Sequence, residues 1–273
     1  MQSKIKYSFL LVALIFLTFS CESKQTEKLK PMISGKKQNN MQIKEYIPKI
    51  VNKFPHDADA YTQGLKFYDG YLYESTGQYG KSSLRQVEIK TGKILQITHL
   101  PITQFGEGIA IKDNQIYQLT WENKIVLVYD LATLKQINQF NFPTEGWGLE
   151  YYNNTFIASD GSNFLNFYNP ETFSIINVLM VKNRNQSVYN INELEIVDNT
   201  IYANIYMTES IVMINPQTGE LNGIIDISSL REQLTNQDEA EVANGIAYNP
   251  ESNTFYLTGK YWSHLFEVEF IEK

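Results

Sequence analysis

Phe105 to Trp121 reads F-G-E-G-I-A-I-K-D-N-Q-I-Y-Q-L-T-W, an apolar strand, an Asp113-Asn114 turn and a second apolar strand. Asp and Asn tolerate the left-handed backbone that a two-residue hairpin turn demands, so the stretch predicts a β-hairpin. The same phrase recurs four more times. Tyr61 opens Y-T-Q-G-L-K-F-Y-D-G-Y-L-Y-E-S-T-G, and Glu145 opens E-G-W-G-L-E-Y-Y-N-N-T-F-I-A-S-D-G. Ile191 opens I-N-E-L-E-I-V-D-N-T-I-Y-A-N-I-Y, and Ala243 opens A-N-G-I-A-Y-N-P-E-S-N-T-F-Y-L-T-G-K. Anchored at Gly64, Gly108, Gly148, Glu193 and Gly245, the copies are 44, 40, 45 and 52 residues apart. A strand-rich repeat of that length predicts propeller blades. The residue before each anchor varies: Gln63, Glu107, Trp147, Asn192, Asn244. A repeat keeps its scaffold and varies its site, which makes that column the place to look for chemistry.

Further strand pairs fill the intervals, from Ser83 to Leu100, Ile125 to Phe140, Phe164 to Val181, and from Ile211 onward through Asn215-Pro216-Gln217-Thr218-Gly219. Four blades of four strands result, and a fifth runs out after its third strand, His264 to Phe270. Tyr46 to Phe54 reads as an isolated strand able to supply the missing edge. The expected fold is therefore all-β: a five-bladed β-propeller over residues 46–273, its N-terminal strand closing the last blade. With 43% hydrophobic residues the chain can bury a sizeable core, and a net charge of -7 without a basic stripe argues against nucleic acid as a partner.

The N-terminus has a separate task. Lys4 and Lys6 precede an apolar run from Tyr7 to Phe19 that Ser20-Cys21 closes, the pattern of an export signal over residues 1–21. The run is shorter than the ~20 residues of a spanning helix. Cys21, the one cysteine, sits where a bacterial lipoprotein signal places its acylated residue, although Thr18-Phe19 departs from the usual upstream pair. A cleaved signal that happens to contain a cysteine is the plainer alternative. Residues 22–45 are polar and lysine-rich, as expected of a flexible linker. Export to the cell envelope, periplasm or surface, with membrane contact only through the lipid, follows from this reading.

First strands of propeller blades line the central channel, so the variable column should converge on one mouth. The ends of the second strands should lie nearby, adding Glu74-Ser75-Thr76-Gly77, Thr120-Trp121, Ser159-Asp160-Gly161, Asn204-Ile205-Tyr206 and Thr258-Gly259-Lys260. Few polar groups on an aromatic wall describe a small-ligand pocket. His56, His99 and His264 are scattered, without zinc spacing, and read as structural. Calcium held by Glu107 and amides stays open. No G-x-S-x-G turn occurs, and Asp160-Gly161-Ser162 reads as a turn. Glu107 is the candidate acid/base group, the alternative being a structural glutamate binding backbone amides. Trp121 and Trp147 also suit packing between blades, and Lys260 also suits a solvated strand end.

Nine motifs in order resemble the plant and bacterial glutamine cyclotransferases: H-D-x-x-A-Y-T-Q-G-L from His56, Y-E-S-T-G-x-Y-G from Tyr73, S-x-L-R from Ser82, F-G-E-G-I-A with Q-L-T-W, E-G-W-G-L, S-D-G-S, N-E-L-E, N-G-I-A and T-G-K-Y-W. The resemblance runs from about Phe54 to Phe270. It implies a five-bladed propeller that converts N-terminal glutamine of peptides or proteins to pyroglutamate and releases ammonia; that reaction needs no cofactor or metal, and a monomer is expected. It also implies Glu107 as the catalytic carboxyl group. Tyr61, Gln63, Phe105, Trp121, Trp147, Asn192, Tyr206 and Lys260 are then the substrate-binding residues. One position departs: where the family commonly has valine-tryptophan after A-N, this chain has Ile205-Tyr206. A non-catalytic envelope propeller that binds peptide N-termini, and a calcium-dependent lactonase-like hydrolase, are the competing readings.

Overall fold

Asp69-Gly70, Asp113-Asn114, Asn153-Asn154 and Asp198-Asn199 all have positive φ at both positions, between 46° and 81°, so four of the five repeats turn through two left-handed residues as their sequences predict. The computed structural model describes residues 43–273. The expected export signal (1–21), Cys21 and nearly all of the linker (22–45) lie outside the described residues.

An outer strand, β1 (Lys44–Pro55), comes first. A four-stranded antiparallel sheet follows: β2 (Thr62–Tyr68), β3 (Tyr71–Thr76), β4 (Ser83–Glu88) and β5 (Lys93–His99). The next repeats the pattern with β6 (Gly106–Lys112), β7 (Gln115–Thr120), β8 (Ile125–Asp130) and β9 (Gln136–Asn141). A third holds β10 (Leu149–Tyr152), β11 (Thr155–Ala158), β12 (Phe164–Tyr168) and β13 (Ile175–Met180). A small hairpin, β14 (Lys182–Asn183) and β15 (Gln186–Ser187), precedes β16 (Ile191–Val197), β17 (Thr200–Ile205), β18 (Ser210–Ile214) and β19 (Leu221–Asp226). The longest repeat interval holds α1 (Ser228–Arg231), the only helix among the described residues. The chain ends with β20 (Ala243–Asn249), β21 (Thr254–Gly259) and β22 (His264–Glu272).

The last two groups form one eight-stranded sheet, because β1 lies between them. It pairs antiparallel with β22, from Tyr46 opposite Glu272 to Pro55 opposite His264, and parallel with β19 over Lys44 to Tyr46. The expected strand over 46–54 is thus longer at its start, since Lys44 and Glu45 meet a second partner on β19. Pro48 sits beyond that parallel stretch, where its missing N–H removes no ladder bond on the free side.

The first strands β2, β6, β10, β16 and β20 are neighbours in that order, and β20 returns to β2. At Gly108 and Gly148 they approach too closely for a side chain. A Cβ would lie 2.5 Å from the Trp147 carbonyl oxygen in the first case and 2.2 Å from that of Asn192 in the second. Those contacts explain two of the anchor glycines. The core is divided into five buried apolar clusters, each between successive strand groups, such as Leu84, Ile109 and Leu127 between the first and second. Lys66 of β2 is buried in the middle, bonded to Glu150 of β10, to Glu195 of β16 at 3.0 Å and to the Leu194 carbonyl at 3.0 Å. Burial alone would lower its ammonium, but these carboxylates and Glu193 carry it above the ordinary lysine value.

Candidate active site

In four of the five repeats the register slips where the variable residue sits. Thr62 pairs with Thr76 but Gly64 with Ser75, leaving Gln63 on a bulge. Corresponding irregularities fall between Gly106 and Ile109, Ile191 and Leu194, and Ala243 and Ile246, around Glu107, Asn192 and Asn244. A bulge re-aims the extra side chain out of the regular alternation. Trp147 stands just before β10 and is held by its N–H donating to the Ser159 carbonyl at 3.0 Å.

Gln63, Glu107, Trp147 and Asn192 consequently line one cavity of about 330 Å³, with Tyr61, Phe105, Trp121, Tyr206 and Lys260 completing its wall. The rings brace one another at their edges. Phe105 lies 5.6 Å from Trp121 and 6.1 Å from Tyr61, and Trp147 lies 5.6 Å from Tyr206 with planes at 82°. Lys260 Nζ sits 4.4 Å from the Tyr61 ring centre and 4.9 Å from that of Tyr206. Lys260 is 3% exposed, which corrects the reading of it as a solvated strand end. Its main chain is tied to the segment after α1, with Glu241 N–H donating to the Lys260 carbonyl at 2.8 Å.

Electrostatically the site pushes both of its central ionisable groups toward neutrality. Burial raises the Glu107 carboxyl well above the ordinary range, against the Lys260 charge and a hydrogen bond from Gln63, which favour the carboxylate. Burial likewise lowers the Lys260 ammonium to about 8, with Glu107 and Glu241 opposing it. Glu107 Oε2 and Asn192 Oδ1 are buried without a hydrogen-bond partner within the protein, leaving two polar atoms on the cavity wall available to a guest. The arrangement suits a small polar group with an exchangeable proton, held against aromatic faces.

Every residue expected at the site lines this cavity except Cys21, which lies outside the described residues. Asn244, on the same column, is fully buried beneath Gln63 and contacts it rather than the cavity. Several second-strand ends spend their polar atoms elsewhere: Ser159 Oγ donates to the Asn192 carbonyl, and Thr258 Oγ1 to that of His264. Asp160 accepts from Ser162 N–H and Oγ, a turn as expected. Gln78 lines the cavity and was not anticipated. It is the unspecified position of Y-E-S-T-G-x-Y-G, with φ of 86°, and no strand pattern points to it. His56 belongs to a buried ion pair 2.9 Å from Glu74, away from the cavity, in keeping with a structural histidine.

Comparison with known proteins places this geometry in company. The family model described as glutamine cyclotransferase matches residues 23–270. The chain is 34% identical over 224 residues to a glutaminyl-peptide cyclotransferase of Arabidopsis thaliana, covering 81% of this chain and 70% of that one. Among solved structures it is similar to the glutaminyl cyclase of Myxococcus xanthus, with a TM-score of 0.80 and 35% identity over 85% of this chain and all of the other.

Proposed function

The chain belongs to the glutamine cyclotransferase family, and on that premise we propose that it cyclises N-terminal glutamine of peptides to pyroglutamate with release of ammonia. The observation that carries the proposal is Glu107: a 3%-exposed carboxyl group in an aromatic cavity, beside one amide and one ammonium group. In the proposed reaction the neutral α-amine attacks the side-chain carbonyl carbon and forms the ring C–N bond. The bond to the side-chain nitrogen then breaks. Glu107 takes the proton that the attacking amine sheds and hands it to the departing nitrogen, which leaves as ammonia. A carboxyl group raised toward neutrality suits both halves of that transfer.

The aromatic wall would hold the flexible glutamine side chain folded against its own amine, removing much of the entropic barrier. Asn192 or Gln63 would donate to the oxygen as charge develops on it, a role worth roughly 3 kcal/mol in comparable sites. The route needs no covalent intermediate, cofactor, metal or water. As scaffold we read a five-bladed propeller, the last blade made of β20 to β22 and closed by β1; the five inter-group clusters support that count. The N-terminal features support an exported, envelope-tethered protein, and Cys21→Ser would then release it from membranes.

The experiment is incubation of the purified protein with a glutamine-initiated dipeptide, following ammonia and loss of the free amine, with and without a chelator. Equal turnover in both conditions is expected. Binding without ammonia release would instead identify a non-catalytic receptor for peptide N-termini, and chelator-sensitive hydrolysis of lactones a different enzyme.

A further inference from the structure

We propose that Asn244 is a positioning residue: it sets which end of the Gln63 side-chain amide faces Glu107. The proposal rests on the reading of Glu107 as the proton carrier and deepens it by one residue outside the cavity.

The argument begins at a backbone oxygen. The Thr62 carbonyl can only accept, so the Asn244 side-chain atom 3.0 Å from it must be the NH2 end, Nδ2. The same Nδ2 lies 3.2 Å from Gln63 Oε1. That contact occupies the accepting end of the Gln63 amide. Its NH2 is then the end left to face the Glu107 carboxylate, the direction in which Gln63 favours the charged form. Were Gln63 reversed, two NH2 groups would oppose each other at Asn244, and an oxygen would confront a carboxylate at Glu107. One fixed acceptor thus dictates, through two amides, a donor at the acid/base group.

The fixed acceptor is itself well held. Thr62 Oγ1 donates to Glu74 at 2.7 Å, and Gly77 N–H donates to the Tyr61 carbonyl at 2.8 Å. Asn244, Gln63 and Glu107 are 0%, 4% and 3% exposed, so water does not compete for these bonds. Asn244 Oδ1 has no partner within the protein. A residue kept for packing alone would not carry a buried, unpaired oxygen; one kept for its NH2 group would. Asn244 also lies at the seam between the last and first strand groups, on a bulge that aims it across that seam.

The test is a titration of the Glu107 carboxyl carbon by carbon-13 NMR, its signal assigned by loss in Glu107→Gln. Asn244→Ala and Gln63→Ala should each raise the Glu107 midpoint, by roughly one unit for one lost donor. The double variant should shift no further than Gln63→Ala alone. Lys260, Glu145 and the Tyr61 and Tyr79 phenols, which also face Glu107, are unchanged in all of these. If Asn244→Ala does not fold, Asn244→Asp keeps the shape. Its protonated oxygen would meet Thr62 and turn Gln63 around, again raising the midpoint. An unchanged midpoint in a folded variant, or additive shifts in the double variant, overturns the proposal. Ammonia release on the same samples separates the two readings: the expected titration shifts without wild-type turnover would sink the proposed function and leave the positioning role standing.

Discussion

Tyr206 is where this chain leaves its family's usual pattern, and replacing it separates binding from proton transfer. Tyr206→Ala removes an edge-to-face contact with Trp147 at 5.6 Å and a cation–π contact with Lys260 at 4.9 Å. The first is worth about 0.5–1.5 kcal/mol beyond area burial. The second, made by a desolvated ammonium, is worth about 2 kcal/mol. Both are internal to the protein and bear on its stability; the contact the same ring would make with substrate, again about 0.5–1.5 kcal/mol, is at 1.36 kcal/mol per decade roughly a 2- to 13-fold loss in kcat/KM. Most of the loss should appear in KM, because a wall positions substrate in ground and transition states alike. Tyr206→Phe keeps both contacts and should stay within about threefold of the parent. Glu107→Gln should instead lower kcat by about 10²–10⁴-fold, the usual worth of a general acid–base group. The assay is ammonia release from glutamine dipeptides across a range of concentrations. If Tyr206→Phe proved as damaging as Glu107→Gln in a folded protein, the phenol would take part in proton transfer, and a single-carboxylate route would be wrong.

Other outcomes follow from the same structure. Lys66→Met strands Glu150 and Glu195 without their shared cation, and denaturant unfolding at neutral pH should show a loss of about 3–5 kcal/mol. That loss should grow at pH 9, where Glu195, pushed by burial up to about 8, gives up its proton; a pH-independent loss would mean the cluster is not ionic. The His56–Glu74 pair has its own pH window. Burial alone would lower the imidazole and raise the carboxyl, but each partner's charge reverses the sign, so His56 stands above 6.5 and Glu74 below 4.5. The His56 contribution is full below 6.5 and lost as pH rises through its raised value; that of Glu74 is full above 4.5 and lost as pH falls through its lowered value. His56→Gln should therefore destabilise more at pH 5.5 than at pH 9, as judged by thermal melts at both. Removal of residues 1–42 should leave the melting temperature of the domain intact. Removal through Pro55 exposes β22 and should lower it by roughly 10 °C or more, at ~2–4 °C per kcal/mol.

What could be read from the sequence was whatever repeats. The paired Asp, Asn and Gly turns mark four of the five repeated hairpins because few residues adopt left-handed backbone twice in succession, and from the hairpins the strand groups follow. The candidate site was legible for the same reason: equivalent positions of a ring converge, so Gln63, Glu107, Trp147 and Asn192 could be gathered before any coordinates. The bulges that aim them were not, because a slip in register depends on the partner strand and leaves no mark of its own. Gln78 escaped as a loop residue. The Lys66 cluster joins three separate sheets, and no local pattern of charges predicts partners 84 and 129 residues away. Asn244 was seen in the column, yet only hydrogen-bond geometry distinguishes a residue that faces the cavity from one that stands behind it.

The two ends of the domain meet in one sheet, and this sets an order in time. Lys44 and Glu272, which bond across β1 and β22, are 228 residues apart. Among the described residues β1 leaves the ribosome before every other strand, and its long antiparallel partner after them. Until β22 has emerged, β1 has no partner along most of its length, and the growing chain carries open edges of the kind that recruit other chains. Each four-stranded group can form from contacts between neighbours in sequence, but the ring cannot lock until its largest loop closes. Long-range closure of this kind slows folding far more than it weakens the finished structure. The finished domain should accordingly be assembled in a single late step, with its cavity shaped at the same moment, since Tyr61 and Gln63 meet Lys260 and Asn244 only across that seam.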